Sequence, residues 1–201
     1  TLGTRSLSEV NPLLGNAAGT VAGGLYGNYR NQRELNTAIT NGLTTTDTYA
    51  KQYYIIKEAT IPLVRNIANN LNSLSSLGGY LGANCPSTIG QASSDISRIG
   101  QLTDLATQYQ NENTALLNDL AILQSIIDRS KNATAEQVGE LSVAYNQISY
   151  KLPNGGNVSA AKSEYLQAQT KDSQVAKLID ACTAEKIAID SAQINATSPG
   201  F

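Results

Sequence analysis

Residues 99–130 read IGQLTDLATQYQNENTALLNDLAILQSIIDRS, and within them Ile99, Leu102, Ala106, Tyr109, Asn113, Leu116, Leu120, Leu123, Ile127 and Ser130 recur at alternating steps of three and four. That spacing gathers these side chains onto one stripe of an α-helix. Ile99, Ala106, Asn113, Leu120 and Ile127 take the a positions of a heptad, and Leu102, Tyr109, Leu116, Leu123 and Ser130 the d positions. The reading predicts a helix from about Ser93 to Lys131, on the order of 55 to 60 Å long, too long for a small globule. An amide at an a position sets the register of a seam only if it meets a partner across it. For Asn113 the expectation is the blander one, a solvent-facing or water-bonded side chain in a loose part of the bundle.

Three more helices can be read on either side. One runs from about Thr46 to Leu81, with Tyr49, Tyr53, Ile56 and Ile61 followed by Val64, Leu71, Leu74, Leu77 and Leu81. Pro62 lies inside it, so a kink or break is expected near Thr60. Gly78, Gly79 and Gly82, then Asn84-Cys85-Pro86, are expected to end it in a turn. Thr134-Ala135-Glu136-Gln137 has the arrangement of a capping box and predicts a helix start. Val138, Leu141, Tyr145, Ile148 and Leu152 continue that helix until Pro153-Asn154-Gly155-Gly156 stops it. A last helix is read from Ser159 through Tyr165, Ala168, Val175, Ile179, Cys182 and Ile189.

The N-terminal segment carries a different signal. Gly15, Gly19, Gly23 and Gly27 repeat every fourth residue through an uncharged stretch from Val10 to Tyr29. On a helix from about Pro12 to Ala38, ended by a turn at Thr40-Asn41-Gly42, they would form a groove into which another helix backbone can press. Each glycine costs a soluble helix roughly 1 kcal/mol relative to alanine, so a ladder of them implies an offsetting partner. Three partners are considered: the chain's own bundle, another chain, or a membrane. Association with another chain is the expectation. Membrane contact is disfavoured because Asn11, Asn16, Thr20 and Asn28 interrupt a stretch that would need about twenty apolar residues to span. The ladder resembles segments of some bacterial envelope and pore-forming proteins.

The fold class expected is therefore all-α, an elongated up-and-down antiparallel bundle of long helices with an N-terminal glycine-ladder helix. Residues 1–42 form an arm in this reading, 43–194 the bundle and 195–201 a flexible tail. With 201 residues, 41% of them hydrophobic, the chain can bury a real core.

Composition narrows function more than any motif does. The 14 basic and 16 acidic residues form no basic run that would follow a phosphate backbone, so nucleic acid is not an expected partner. There is no histidine. Without it there is no ordinary general base near neutral pH, no Ser-His or Cys-His pair and no histidine metal site. Asp95, Asp104, Glu112 and Asp119 show no spacing of a glycosidase or di-metal pair and read as solvated helix faces. No enzyme, metal or cofactor is expected.

Methionine is absent as well, and Thr1 reads as a processed N-terminus of an exported protein. A bridge between Cys85 and Cys182 suits that compartment and is worth up to about 4.7 kcal/mol on the chain-entropy model; the alternatives are two unrelated buried thiols or a bridge to a cysteine of another molecule. The sequons at Asn132, Asn157 and Asn195 occur about as often as chance gives in so polar a chain. Five tyrosines before Thr60, at positions Tyr26, Tyr29, Tyr49, Tyr53 and Tyr54, are interface candidates, against the alternative of the wet edge of a core. The functional expectation is an exported, non-enzymatic assembly subunit of an extracellular filament, surface layer or envelope apparatus, outside the cell, at its surface or in a periplasm. Its partners would be other copies or other subunits, met through the glycine- and tyrosine-rich N-terminal helix. The alternative is a monomeric binding module, either a surface adhesin or receptor, or a lipid carrier.

Overall fold

The computed structural model describes residues 12–13 and 29–197. Gly15, Gly19, Gly23, Gly27 and Tyr26 lie outside the described residues, as do residues 198–201. Among those described, the chain is a helical bundle without strands. Its helices are α1 (Gln32–Gly78), α2 (Pro86–Ile96), α3 (Ile99–Ser130), α4 (Ala135–Ser149) and α5 (Gly155–Thr197), with a short 3₁₀ turn at Tyr80–Gly82.

The helix containing the expected turn at Thr40-Asn41-Gly42 begins earlier than its apolar pattern suggests and has no turn there. Asn31 caps it by accepting the Glu34 N–H at 2.9 Å, and the Glu34 carboxylate accepts the Arg30 N–H at 2.8 Å. Leu35, Ile39, Leu43 and Ala50 then bury one face. That face outweighs the weak propensity of threonine, asparagine and glycine; the threonine hydroxyls bond back into the helix, as Thr44 does to the Thr40 carbonyl. A boundary at residue 42 thus falls inside α1, and one at residue 194 inside α5.

Of the kink or break expected near Thr60, the break does not occur, since α1 runs on through Pro62. A proline costs a helix interior about 3 kcal/mol. Ile61, Val64, Ile67 and Leu71 are all buried just around and beyond it. Each is worth roughly 1.5 to 3 kcal/mol of burial, a sum that exceeds the proline penalty and depends on one unbroken helical face.

The helix expected to start near Ser93 is instead two. Pro86 occupies the first turn of α2, where its missing N–H costs nothing. The chain then turns at Ser97 and Arg98, where Ser97 Oγ bonds the Ser94 carbonyl at 2.6 Å and the Arg98 N–H reaches only three residues back, to Asp95, at 3.0 Å. The capping box at Thr134 and Gln137 is present in both directions. Gly155 and Gly156 do not simply stop a helix, because they also open α5. Asn154 Oδ1 accepts the N–H groups of Gly156 and Asn157, and Asn157 Oδ1 in turn accepts the Asn154 N–H. Asn195, Ala196 and Thr197, expected in a flexible tail, belong to α5.

The described residues divide into two compact units. The first uses the chain up to Lys57 with Asn111–Lys162; the second uses Glu58–Gln110 with the chain from Ser163 onward. In the first unit Leu35, Ile39 and Leu43 share a core with Leu116, Leu123, Ile126, Val138, Leu141 and Ile148, and Leu13 joins it. Polar side chains stitch the same unit together: Asn36 Nδ2 donates to the Ala133 carbonyl at 2.8 Å, and the Thr40 and Ser130 hydroxyls meet at 2.7 Å. Asn113 is 1% exposed and donates from Nδ2 to the Tyr54 carbonyl at 3.1 Å. It is not solvent-facing; a backbone carbonyl of α1 is its partner across the seam. In the second unit Ile67, Leu71 and Val175 form one cluster and Leu74, Cys85, Ala92 and Cys182 another.

The Asn113 contact is directly testable. Replacing it with alanine leaves a small cavity and removes a buried donor, so Asn113→Ala should lower the unfolding free energy by about 1 to 3 kcal/mol in a urea titration. An unchanged midpoint would show that the amide sets nothing.

Candidate functional site

The residues of the second unit that stand out chemically are those at the turn between α1 and α2. No charged residue occurs between Arg65 and Asp95, so this turn and its flanks are neutral. At its apex Tyr80 and Leu81 are 87% and 86% exposed, the most exposed large apolar side chains described. Leu81 holds φ 51° and ψ 28°, the left-handed region, and is the one described non-glycine residue with positive φ. For a residue with a Cβ that conformation costs roughly 1 to 2 kcal/mol.

Its surroundings explain how the conformation persists. Gly79 and Gly82 flank the apex at φ 73° and 75°, angles that a side chain rarely tolerates. Turn hydrogen bonds run from Gly82 N–H to Gly79, Ala83 N–H to Tyr80, Cys85 N–H to Gly82 and Asn84 N–H to Gly78. Asn84 Nδ2 also donates to the Leu77 carbonyl at 3.0 Å. The backbone of Gly78 lies so near Ile89 that an added Cβ would come within 2.5 Å of that side chain. The turn is therefore pressed onto the first turn of α2.

Two tethers hold α2 in place. Cys85, just before Pro86, is disulfide-bonded to Cys182 of α5 across 97 residues of sequence. One turn further along α5, the Glu185 carboxylate accepts the Ser87 N–H at 2.8 Å, the Thr88 N–H at 2.9 Å and the Thr88 hydroxyl at 2.7 Å. A carboxylate at a helix N-terminus satisfies amides that have no intrahelical partner and meets the positive end of the helix dipole. The hydrogen bond from the Thr88 side chain, with smaller help from the two amides, lowers the Glu185 pKa from its ordinary 4.5.

The other expected site residues lie elsewhere. Tyr29, Tyr53 and Tyr54 are half-buried against the core of the first unit, and Tyr49 packs its ring on Gly155. Along the seam, Leu116, Leu120, Leu123 and Ile127 are buried in the first unit, while Ile99, Leu102 and Tyr109 are half-buried in the second. Asp104 and Glu112 stand on exposed positions as expected. Asp95 and Asp119 do not: Lys171 bonds Asp95 at 3.1 Å, and the buried Asp119 pairs with Lys151 at 3.1 Å. That pair lines a cleft of about 350 Å³ in the first unit, with Tyr53, Ala115, Leu116, Leu152 and Pro153 as apolar lining and Glu112, Tyr150 and Asn157 completing it. Among the described residues no cluster of three metal-ligating side chains occurs, and no helix is long and apolar enough to cross a membrane.

In the sequence the turn reads only as a helix stop. The neutral stretch was legible. The positive φ of Leu81 and the reach of Glu185 to α2 were not, because both depend on partners distant in sequence. No family model matches the chain, and neither a curated protein nor a solved structure matches it.

Two outcomes follow from this geometry. Leu81→Asn retains the turn with a residue better suited to positive φ, so it should leave stability unchanged or raise it by up to about 1 kcal/mol. A clear loss would mean that the leucine side chain is needed for folding. Glu185 has a folded-state pKa below its unfolded value, so its contribution is full above pH 4.5 and fades as pH falls through the lowered folded value. The stability gap between the parent and Glu185→Gln should accordingly be constant near neutrality and close on acidification below pH 4.5; a gap independent of pH would contradict the cap.

Proposed function

We propose that this protein is an exported, non-enzymatic assembly subunit in which long helices serve as scaffold and exposed apolar side chains make contacts with other copies or other subunits. The observation that carries the reading is Leu81. A bulky side chain sits in a backbone conformation suited to glycine or asparagine, is 86% exposed, and so contributes almost no burial in return for its strain. Backbone strain held in place by its surroundings concentrates at functional positions. Tyrosine beside it supplies the large, rigid contact typical of interface anchors. The disulfide supports export, since such bonds persist in oxidising compartments. The absence of histidine from the sequence supports a role without acid–base catalysis. The glycine ladder at Gly15, Gly19, Gly23 and Gly27 belongs to this proposal as a second contact between copies.

The competing reading is a monomeric binding module that turns the same apex towards a receptor, or a lipid carrier. Light scattering and negative-stain microscopy of the non-reduced protein over a wide concentration range separate the two. Defined oligomers or filaments are expected, with mass rising above the 21.2 kDa of one chain. A single species of that mass at every concentration would overturn the assembly reading in favour of the binding module.

A further inference from the structure

We propose that the Tyr80–Leu81 turn of one copy inserts into the cleft between Tyr53, Leu116, Asp119, Tyr150, Leu152 and Pro153 of a second copy, an inference that rests on the assembly reading above.

Size and chemistry match on the two sides. The cleft holds about 350 Å³, near the lower end of the roughly 300 to 1,000 Å³ found for ligand pockets, room for one aromatic ring with an aliphatic neighbour rather than for a large ligand. Its lining of Leu116, Leu152, Pro153 and Ala115 suits the leucine, and the rings of Tyr53 and Tyr150 offer an aromatic partner to Tyr80. The phenol needs a hydrogen-bond acceptor when it leaves water. The carboxylates of Glu112 and Asp119 stand in the same lining.

Charge points the same way. Lys151 already bonds Asp119 at 3.1 Å and lies 5.8 Å from the centre of the Tyr150 ring, so the cationic group of the cleft is engaged within its own chain. A neutral entrant leaves that pair intact, whereas a charged one would compete with it. The turn has no charged residue for fourteen positions on either side of Tyr80, from Asn66 to Ser94. A bilayer is a poorer match, because no lysine or arginine near the turn would hold it on anionic lipid.

Tip and cleft are different surfaces of the chain, so the contact is heterologous. Repetition of such a contact generates a ring if its rotation closes and an open filament if it does not. The anchor is small beside the 1,200 to 2,000 Å² of a standard stable interface, roughly 150 to 250 Å² for the aromatic side chain. Association through it alone should be reversible and concentration-dependent.

The test places a benzophenone photocrosslinker, p-benzoylphenylalanine, at position 80 of the full chain and mixes it with isotope-labelled parent protein. After irradiation, mass spectrometry should find inter-copy adducts on labelled peptides covering 112–119 or 150–157. Ala115→Arg in the labelled copy, at an exposed position of the cleft, should reduce the yield at least tenfold while circular dichroism remains unchanged. Adducts elsewhere, or an undiminished yield with Ala115→Arg, overturn the insertion while a parent that still assembles leaves the assembly reading standing. A parent that stays monomeric and gives no adducts overturns both.

Discussion

The covalent bond between Cys85 and Cys182 is the constraint on which the second unit depends. It fixes the residue that precedes α2 to the middle of α5, and the turn before it has nowhere else to go. One helical turn beyond, Glu185 repeats the attachment with hydrogen bonds from Ser87 and Thr88. A short helix of eleven residues would be marginal alone. Tied at its N-terminus by a disulfide and a carboxylate, α2 becomes a wall against which Gly78 and Gly82 press through Ile89. Rigidity there lets a strained leucine remain strained. A loose turn would relax Leu81 into ordinary backbone space and lose the direction in which it and Tyr80 point.

The first unit is held by different means. Its core is apolar, but small polar groups set the relation of its helices: Asn36 to Ala133, which is buried, and Thr40 to Ser130 and Asn113 to Tyr54, each with one buried partner. A buried polar group is costly unless paired, so each of these bonds penalises a slipped register more than a leucine contact would. The same unit supplies the cleft. Tyrosine edges, an internally paired lysine and a floor of leucine and proline make the recess into which the proposed contact would bring a neutral amphipathic side chain.

Much of this architecture is legible in the sequence because it is local or periodic. The three–four alternation from Ile99 to Ser130 places the buried face of α3, and Thr134 with Gln137 marks a helix start that involves only residues three apart. Asn31 and Glu34 carry the same kind of signal for α1, obscured by the threonines and the Asn41-Gly42 pair that follow. Other features have no local cause. Pro62 stays helical because residues of α1 bury against distant ones, and a window of sequence around it sees only the proline. The Asn113 amide looks like any polar residue at a seam until the Tyr54 carbonyl is placed beside it. For the candidate site, an uncharged run and the pair of cysteines can be read directly. The left-handed Leu81 and the cap supplied by Glu185 from ninety-seven residues away cannot, since they exist only once α2 and α5 have met.

What unites these observations is a turn ordered within the chain itself, with its apolar apex held in water at a cost to stability. Amide hydrogen exchange of the isolated protein tests that claim most directly. The N–H groups of Gly82, Ala83, Asn84 and Cys85 are all engaged in hydrogen bonds within the turn. If the turn is preformed, they exchange slowly in the oxidised protein at low concentration and become fast when the disulfide is reduced. Rapid exchange at all four in the oxidised monomer would contradict the account, because the apex would then be one of many conformations and its strain would be absent in solution.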